Sequence, residues 1–280
     1  MTALDPRTVA DPRAVPLSRR SGLVLAVASL AGLMMFCWPL LVQVQPGDSR
    51  VDPPFVFLVL VPVVLAVVLA EMSQGGIDAR VLAVLGVLSA ANALLRVFSA
   101  GTAGVELVFF LLVLGGRVFG PGFGFSLGCT SLFASALMTG GVGPWLPFQM
   151  LCAAWVGMGA GLLPRRPSGR AELWMLAAYG AFSAYAFGLL MNLQGWPYLL
   201  GIGVPGQDPA GLLYVPGAPL TDNLVAFAKY TLILSTGSWD TGRAITTVIG
   251  ILLLGPAVLT TLRRASRRAV VTGRVESERS

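Results

Sequence analysis

The sequence contains no histidine. That removes imidazole bases, Ser-His-Asp triads and His-ligated metals in one step. Cysteine is scarce: Cys37, Cys129 and Cys152 all lie in apolar runs and lack metal-ligand spacing, which fits buried, inert thiols. Charge is scarce as well, at 11% of residues, where a soluble domain carries about 25%. No GxxxxGK followed by Ser or Thr occurs, so the chain has no Walker loop for ATP. Any uphill transport must draw its energy from elsewhere. Neither catalytic cofactor nor metal is implied, and nothing marks the chain as an enzyme.

What the sequence does contain is apolar residue, 55% of 280. Several runs of 18 to 24 residues match the roughly 20 that cross a hydrocarbon core as helix. Two-residue alternation is absent, which argues against a transmembrane β-barrel. The fold class expected is all-α, a polytopic membrane helix bundle. The formal charge of +6 does not call for nucleic acid, because the basic residues sit in the tails and in one loop between apolar runs. Eighteen of the nineteen basic residues are Arg, and Lys229 is the exception.

The stretch from Leu95 to Pro164 organises the rest. Its middle run, Phe123 to Met138, lies between Gly120-Pro121-Gly122 and Gly140-Gly141-Val142-Gly143-Pro144, so both ends turn sharply. Gly124-xxx-Gly128 and Gly157-xxx-Gly161 place small residues four apart on one helix face, the pattern that lets helix backbones approach in lipid. Arg96, Glu106 and Arg117 fall near expected helix ends rather than mid-span, where a charge is costly.

Taken in order, residues 1–20 read as a disordered cytoplasmic tail. Gly22 to about Val44 is too long for a signal-peptide core and has no cleavage site, so it reads as a retained helix. Phe55 to Ala70 returns, and with it residues 21–78 hold two N-terminal helices. Further spans are expected at about Ala79–Phe98, Val105–Gly116, Phe123–Thr139, Trp145–Leu163, Glu172–Asn192 and Ala244–Leu262. The fourth span is short and should be tilted or shielded by its neighbours. A long, less apolar segment covers 195–242 and includes an amphipathic piece from Asp222 to Leu234. Residues 265–280 form a basic tail. With eight spans, one side collects fifteen Lys/Arg and the other four (Arg50, Arg96, Lys229, Arg243). The positive-inside rule then puts both termini in the cytoplasm and segment 195–242 outside, in a plasma-membrane protein.

On the outer face, Ser99–Gly104, Gly140–Pro147 and 195–242 converge, and helix ends with Gly-rich loops under an aromatic cover suit a small-molecule cavity. Its lining would come from Arg96, Glu106, Trp145, Gln149, Asn192 and Trp196. Each also has a plainer use: Arg96 and Glu106 as an ion pair closing a loop, the Trp residues as interfacial anchors, Asn92 and Asn192 as helix-to-helix hydrogen bonds. The clusters Gly120-x-Gly122-x-Gly124 and Gly157-x-Gly159-x-Gly161 lack the βαβ setting of a nucleotide loop.

The small-residue third span ending in Leu95-Arg96, the Gly116-xxx-Gly120-Pro121-xx-Gly124-xxx-Gly128 pattern, and Gly143-Pro144-Trp145-Leu146-Pro147-Phe148-Gln149 together resemble the substrate-binding S components of energy-coupling factor (ECF) vitamin transporters. The resemblance covers about residues 79–264, which would be that family's six-helix core. It implies a membrane receptor for a vitamin at the outer face, working with a transmembrane coupling protein and two cytoplasmic ATPases. Small residues of the first core helix, here Gly86, Ser89, Ala90 and Ala93, would dock on the coupling protein. Within the family the chain looks most like an actinobacterial branch for cobalamin or a related corrinoid. An ion-coupled secondary transporter should show repeated halves, and no repeat is present. A membrane-embedded enzyme would need more acids or a His at the membrane surface.

Overall fold

In the computed structural model the described residues are 18–41, 79–99, 105–199 and 210–277, with isolated positions 59, 62, 63 and 66, and among them the chain is an all-α bundle. The helices are α1 (Arg19–Phe36), the short α2 (Trp38–Leu41), α3 (Ala79–Ser99), α4 (Val108–Phe119), α5 (Pro121–Thr139), α6 (Leu146–Leu162), α7 (Gly169–Leu199), α8 (Leu220–Tyr230) and α9 (Thr241–Ser277). A π-helical stretch, Thr231–Asp240, joins α8 to α9. Five segments are long and apolar enough to cross a membrane: Arg19–Phe36, Ala79–Phe98, Pro121–Thr139, Gly169–Pro197 and Leu220–Arg267. The return helix expected at Phe55–Ala70 lies outside the described residues.

The core is the contact of α5 with α6, and glycine makes it. A Cβ on Gly124 would strike the Gly157 carbonyl, one on Gly128 the backbone of Ala153 and Ala154, and one on Gly161 the backbone of Gly120 and Pro121. The two expected seams therefore face each other, backbone against backbone. This closeness replaces the burial of large side chains, which gains little between helices surrounded by lipid. Gly120, at φ 100°, turns the chain from α4 into α5, and Pro121 starts the new helix where its missing N–H costs nothing. Gly140 ends α5 in the left-handed conformation at φ 65°.

α4 begins three residues later than expected, at Val108, and has 12 residues. At about 18 Å it is too short to cross alone. Leu112, Val113 and Leu114 are fully buried, so the neighbouring helices shield it on all sides. α1 is held on one face through Leu25, Ala28, Gly32 and Met35. Gly32 admits Leu151 and Trp155 of α6, and Trp155 Nε1 donates to Ser29 Oγ at 2.9 Å. Trp38 Nε1 in α2 donates to the Gln194 carbonyl at 3.0 Å.

The segment expected to be a long extracytoplasmic cover is mostly helical among its described residues. α7 runs on to Leu199, and from Leu220 helical winding continues without a break through the π stretch into α9. The reason is local: Pro219 opens α8, Asp222 sits in its first turn, and no Gly-Pro pair interrupts 220–254. Within 195–242, only 210–219 is a loop among the described residues. It is pinned by Asn223, whose side chain accepts from Val215 N and donates to Val215 O, as a strand neighbour would.

Near one end of the bundle Glu172 of α7 is 3% exposed. Its carboxylate accepts from Arg117 Nε at 2.7 Å and from Arg263 Nη2 at 2.7 Å on both oxygens. Arg117 also donates to the carbonyls of Leu163 and Pro164. Three helices and the α6–α7 loop are thus tied at one point.

Candidate functional site

The opposite end of the bundle carries the residues singled out from the sequence. α3 presents a polar face to α5, one step per helical turn: Ser89 Oγ lies 2.6 Å from Thr130 Oγ1, Asn92 Nδ2 donates to Ser131 Oγ at 3.1 Å, and Arg96 Nη1 donates to Ser135 Oγ at 3.0 Å. Arg96 Nη2 reaches on to Gln149 Oε1 of α6 at 3.0 Å. Arg96 and Gln149 are therefore brought together.

Arg96 and Glu106 do not pair as a loop-closing ion pair. The Glu106 carboxylate is taken by Arg243 of α9, whose Nε lies 2.5 Å from Oε2. Arg243 Nη1 also pairs with Asp240 Oδ1 at 2.9 Å, and its guanidinium stands over the rings of Phe187 and Phe109, 4.8 and 5.5 Å from their centroids. A guanidinium held between two carboxylates and two aromatic faces loses little on leaving water. Thr246 fixes the Glu106 backbone from the α9 side.

Asp240 owes its position to two features. Gly188 of α7 has no side chain, and a Cβ there would collide with the Asp240 carboxylate. The π winding then sets Ser235 under Asp240, so that its hydroxyl donates to Oδ2 at 2.8 Å. Residues five apart stack in a π-helix but point about 140° apart in an α-helix.

Beside this cluster is a cavity of about 460 Å³, bordered by Asn192, Tyr230, Trp239, Asp240 and Arg243 among others. Its size falls within the range of small-molecule sites. Asn192 Nδ2 is a buried donor on this border with no hydrogen-bond partner. Such a donor is costly unless something accepts from it.

The two tryptophans part company. Trp145 is 40% exposed, and its ring folds over Gly143. Trp196 is fully buried: it donates to the Leu212 carbonyl at 2.7 Å and packs edge-on against Tyr214 and beside Phe227. It holds the 210–219 loop and α8 to α7 and is not among the residues bordering the cavity beside Asp240. Of the docking set, Ser89 and Ala93 face inward, while Gly86 and Ala90 face outward, and nothing lies within 4 Å of a Cβ on Gly86.

Sequence reasoning missed Arg243, Asp240, Ser235 and Ser135. Asp240 and Arg243 had a readable signal, two opposite charges three apart at the start of an apolar helix. Ser135 lies in register with Arg96 only once α3 is set against α5.

The family model of the ECF transporter substrate-specific component matches residues 80–262. The chain belongs to that family. This is a family of transporter components and not of enzymes, and its members work with an energy-coupling module and small-molecule substrates. The protein is thus a multi-pass membrane subunit that binds substrate for an ECF transporter. Neither curated proteins nor solved structures give a significant match to it. The matched stretch opens at α3 and closes in α9 one residue before Arg263, so it includes the Arg243 cluster and the cavity beside it and leaves out α1 and α2.

Proposed function

We propose that this S component captures a vitamin at the outer face of the plasma membrane, and that a transmembrane coupling protein with two cytoplasmic ATPases drives its uptake. The fifteen-to-four division of basic residues supports cytoplasmic termini, and with them an outward position for the end bearing Arg96, Glu106 and Arg243. One observation carries the choice of site: the unsatisfied Asn192 Nδ2 borders a cavity that also has the Asp240–Arg243 pair at its edge. An amide donor, a carboxylate and a guanidinium beside Tyr230 and Trp239 suit a ligand with carbonyl or amide groups on an apolar body.

Cobalamin or another corrinoid fits that description, since its macrocycle is ringed by amides. A cavity of about 460 Å³ would seat one edge of so large a molecule, with Trp145, Gln149 and Arg96 at the mouth contacting the rest. Trp196 serves the site by fixing the cover. Gly86 and Ala90 form the face for the coupling protein, because they point away from the bundle.

The test is to purify the protein from cells grown in vitamin-rich medium, identify the retained small molecule by mass spectrometry, and titrate it by calorimetry. A bound corrinoid supports the reading. A tightly retained molecule of another class withdraws the corrinoid assignment, and accumulation in a host lacking every ECF coupling partner withdraws the transport scheme.

A further inference from the structure

The family match begins at residue 80, so α1 and α2 lie outside it. α1 runs antiparallel to α6: Ser29 is bonded to Trp155, Gly32 faces Leu151, and Phe36 meets Phe148 edge-on with ring centroids 5.0 Å apart. This seam ends at the level of Arg96 and Gln149. There Phe36 and Trp38 are 0% and 1% exposed, and each is pressed behind an element that carries a site residue.

Phe148 precedes Gln149, the acceptor for Arg96. Trp38 has the closer connection. Its Nε1 donates to the Gln194 carbonyl at 3.0 Å, two residues beyond Asn192, and its ring shares one buried cluster with Trp196, Tyr214 and Phe227. Leu193 and Tyr230 pack against that cluster, and Tyr230 borders the cavity beside Asp240 together with Asn192. This turn of α7 needs outside support. Pro197 lies within α7, and with no N–H it cannot donate to the carbonyl four residues back, which leaves the helix weakest where Asn192, Leu193 and Gln194 sit.

We infer that α1 and α2 brace the substrate cavity, with Trp38 as a positioning residue that holds the Asn192 turn of α7 and, through the aromatic cluster, Tyr230 at the end of α8. The inference rests on the reading that this cavity takes the substrate. Trp38 itself touches no substrate. It keeps two walls of the cavity, α7 and the end of α8, at a fixed spacing before the substrate arrives, so that binding does not have to order them. An indole suits the task, because its rigid apolar ring fills the space behind the walls while its single donor fixes how the ring is turned.

The experiment uses the full chain in detergent and reads hydrogen exchange by mass spectrometry in peptides covering 188–196 and 169–176, and the Kd of cyanocobalamin by calorimetry. Trp38→Ala removes the brace, Trp38→Phe keeps a ring and loses the donor, and Phe119→Leu disrupts the buried pair of Phe119 with Phe123 at the other end of the bundle. The expected result for Trp38→Ala is exchange about tenfold faster in 188–196 alone and a Kd about tenfold higher. Trp38→Phe recovers most of both losses, and Phe119→Leu lowers Tm without moving either. If Trp38→Ala does not fold, Trp38→Phe carries the test with a change of about threefold in both quantities. Unchanged exchange in 188–196, equal acceleration in both peptides, or faster exchange with an unchanged Kd would overturn the inference, as would the same result from Phe119→Leu. A parent protein that takes no cyanocobalamin withdraws the corrinoid reading alone. Exchange then decides: a rise confined to 188–196 and recovered by Trp38→Phe supports the brace, and any other pattern overturns it.

Discussion

Two charge clusters lie at two levels of α9, Arg243 with its partners near its start and Arg263 with its partners twenty residues on, about 30 Å away along the helix. They use the same chemistry in opposite proportion. At the Arg263 end one carboxylate serves two guanidinium groups, and further donors go to loop carbonyls. At the Arg243 end two carboxylates share one guanidinium, which is bordered by a cavity and an unsatisfied amide. The first arrangement ties elements together. The second has acceptors and a donor left over, which is what a binding site needs. The contrast separates an ion cluster that joins three helices and a loop from one that borders an unsatisfied buried donor.

The largest effect should come from Glu172→Ala. It strands Arg117, which is 8% exposed, and removing one partner of a buried pair costs about 3–5 kcal/mol. Thermal unfolding in detergent should show a large drop in Tm, and a near-normal Tm would make the cluster incidental. Next is Arg243→Gln. Ligand affinity measured by calorimetry should fall about thirtyfold or more, equivalent to about 2 kcal/mol, with a smaller loss of Tm than in Glu172→Ala. The reverse order of the two Tm losses would break the distinction between the ends.

Arg96→Gln and Trp145→Ala should each weaken binding about tenfold, or about 1.4 kcal/mol, with Tm within a few degrees of the parent protein. Normal affinity in both would move the site away from this mouth. The smallest expected effect on stability is that of Gly86→Leu, since the position is open and exposed substitutions usually change stability by less than about 0.5 kcal/mol. Co-purification of the ATPases should nevertheless fall. Unchanged recovery would place the docking face elsewhere.

The helices and the glycine seam could be read from the sequence because their signals are local. Apolar length marks a span, Gly-Pro marks its end, and Gly124, Gly128, Gly157 and Gly161 show their four-residue spacing in any single sequence. The partners of the charges could not be read in that way. Glu106 is bound to Arg243 across 137 positions and Glu172 to Arg263 across 91, so pairing depends on which helices are neighbours. Arg96 and Glu106 are closer in sequence yet sit on separate hydrogen-bond networks. The partners of Trp196 were illegible for a related reason. An aromatic residue near a helix end resembles an interfacial or ligand-facing group until the loop that folds back over it is known. The π winding of 231–240 has no composition of its own, and Ser235 gained a role only through it.

The uninterrupted winding from Leu220 to Arg267, 48 residues and about 70 Å long, makes a torsion bar of the last third of the protein. No loop along it absorbs a twist applied at either end. The cavity beside Asp240 and the ion cluster around Glu172 are therefore mechanically in series. The π stretch is the one part of the bar with a different pitch, and rewinding it to α would swing Ser235 away from Asp240 while turning every residue beyond it. A ligand that holds Asp240 in place locks that pitch. Spin labels at Thr221 and Arg264 would register the change as a shortening or rotation of the bar, even if no helix moved against another.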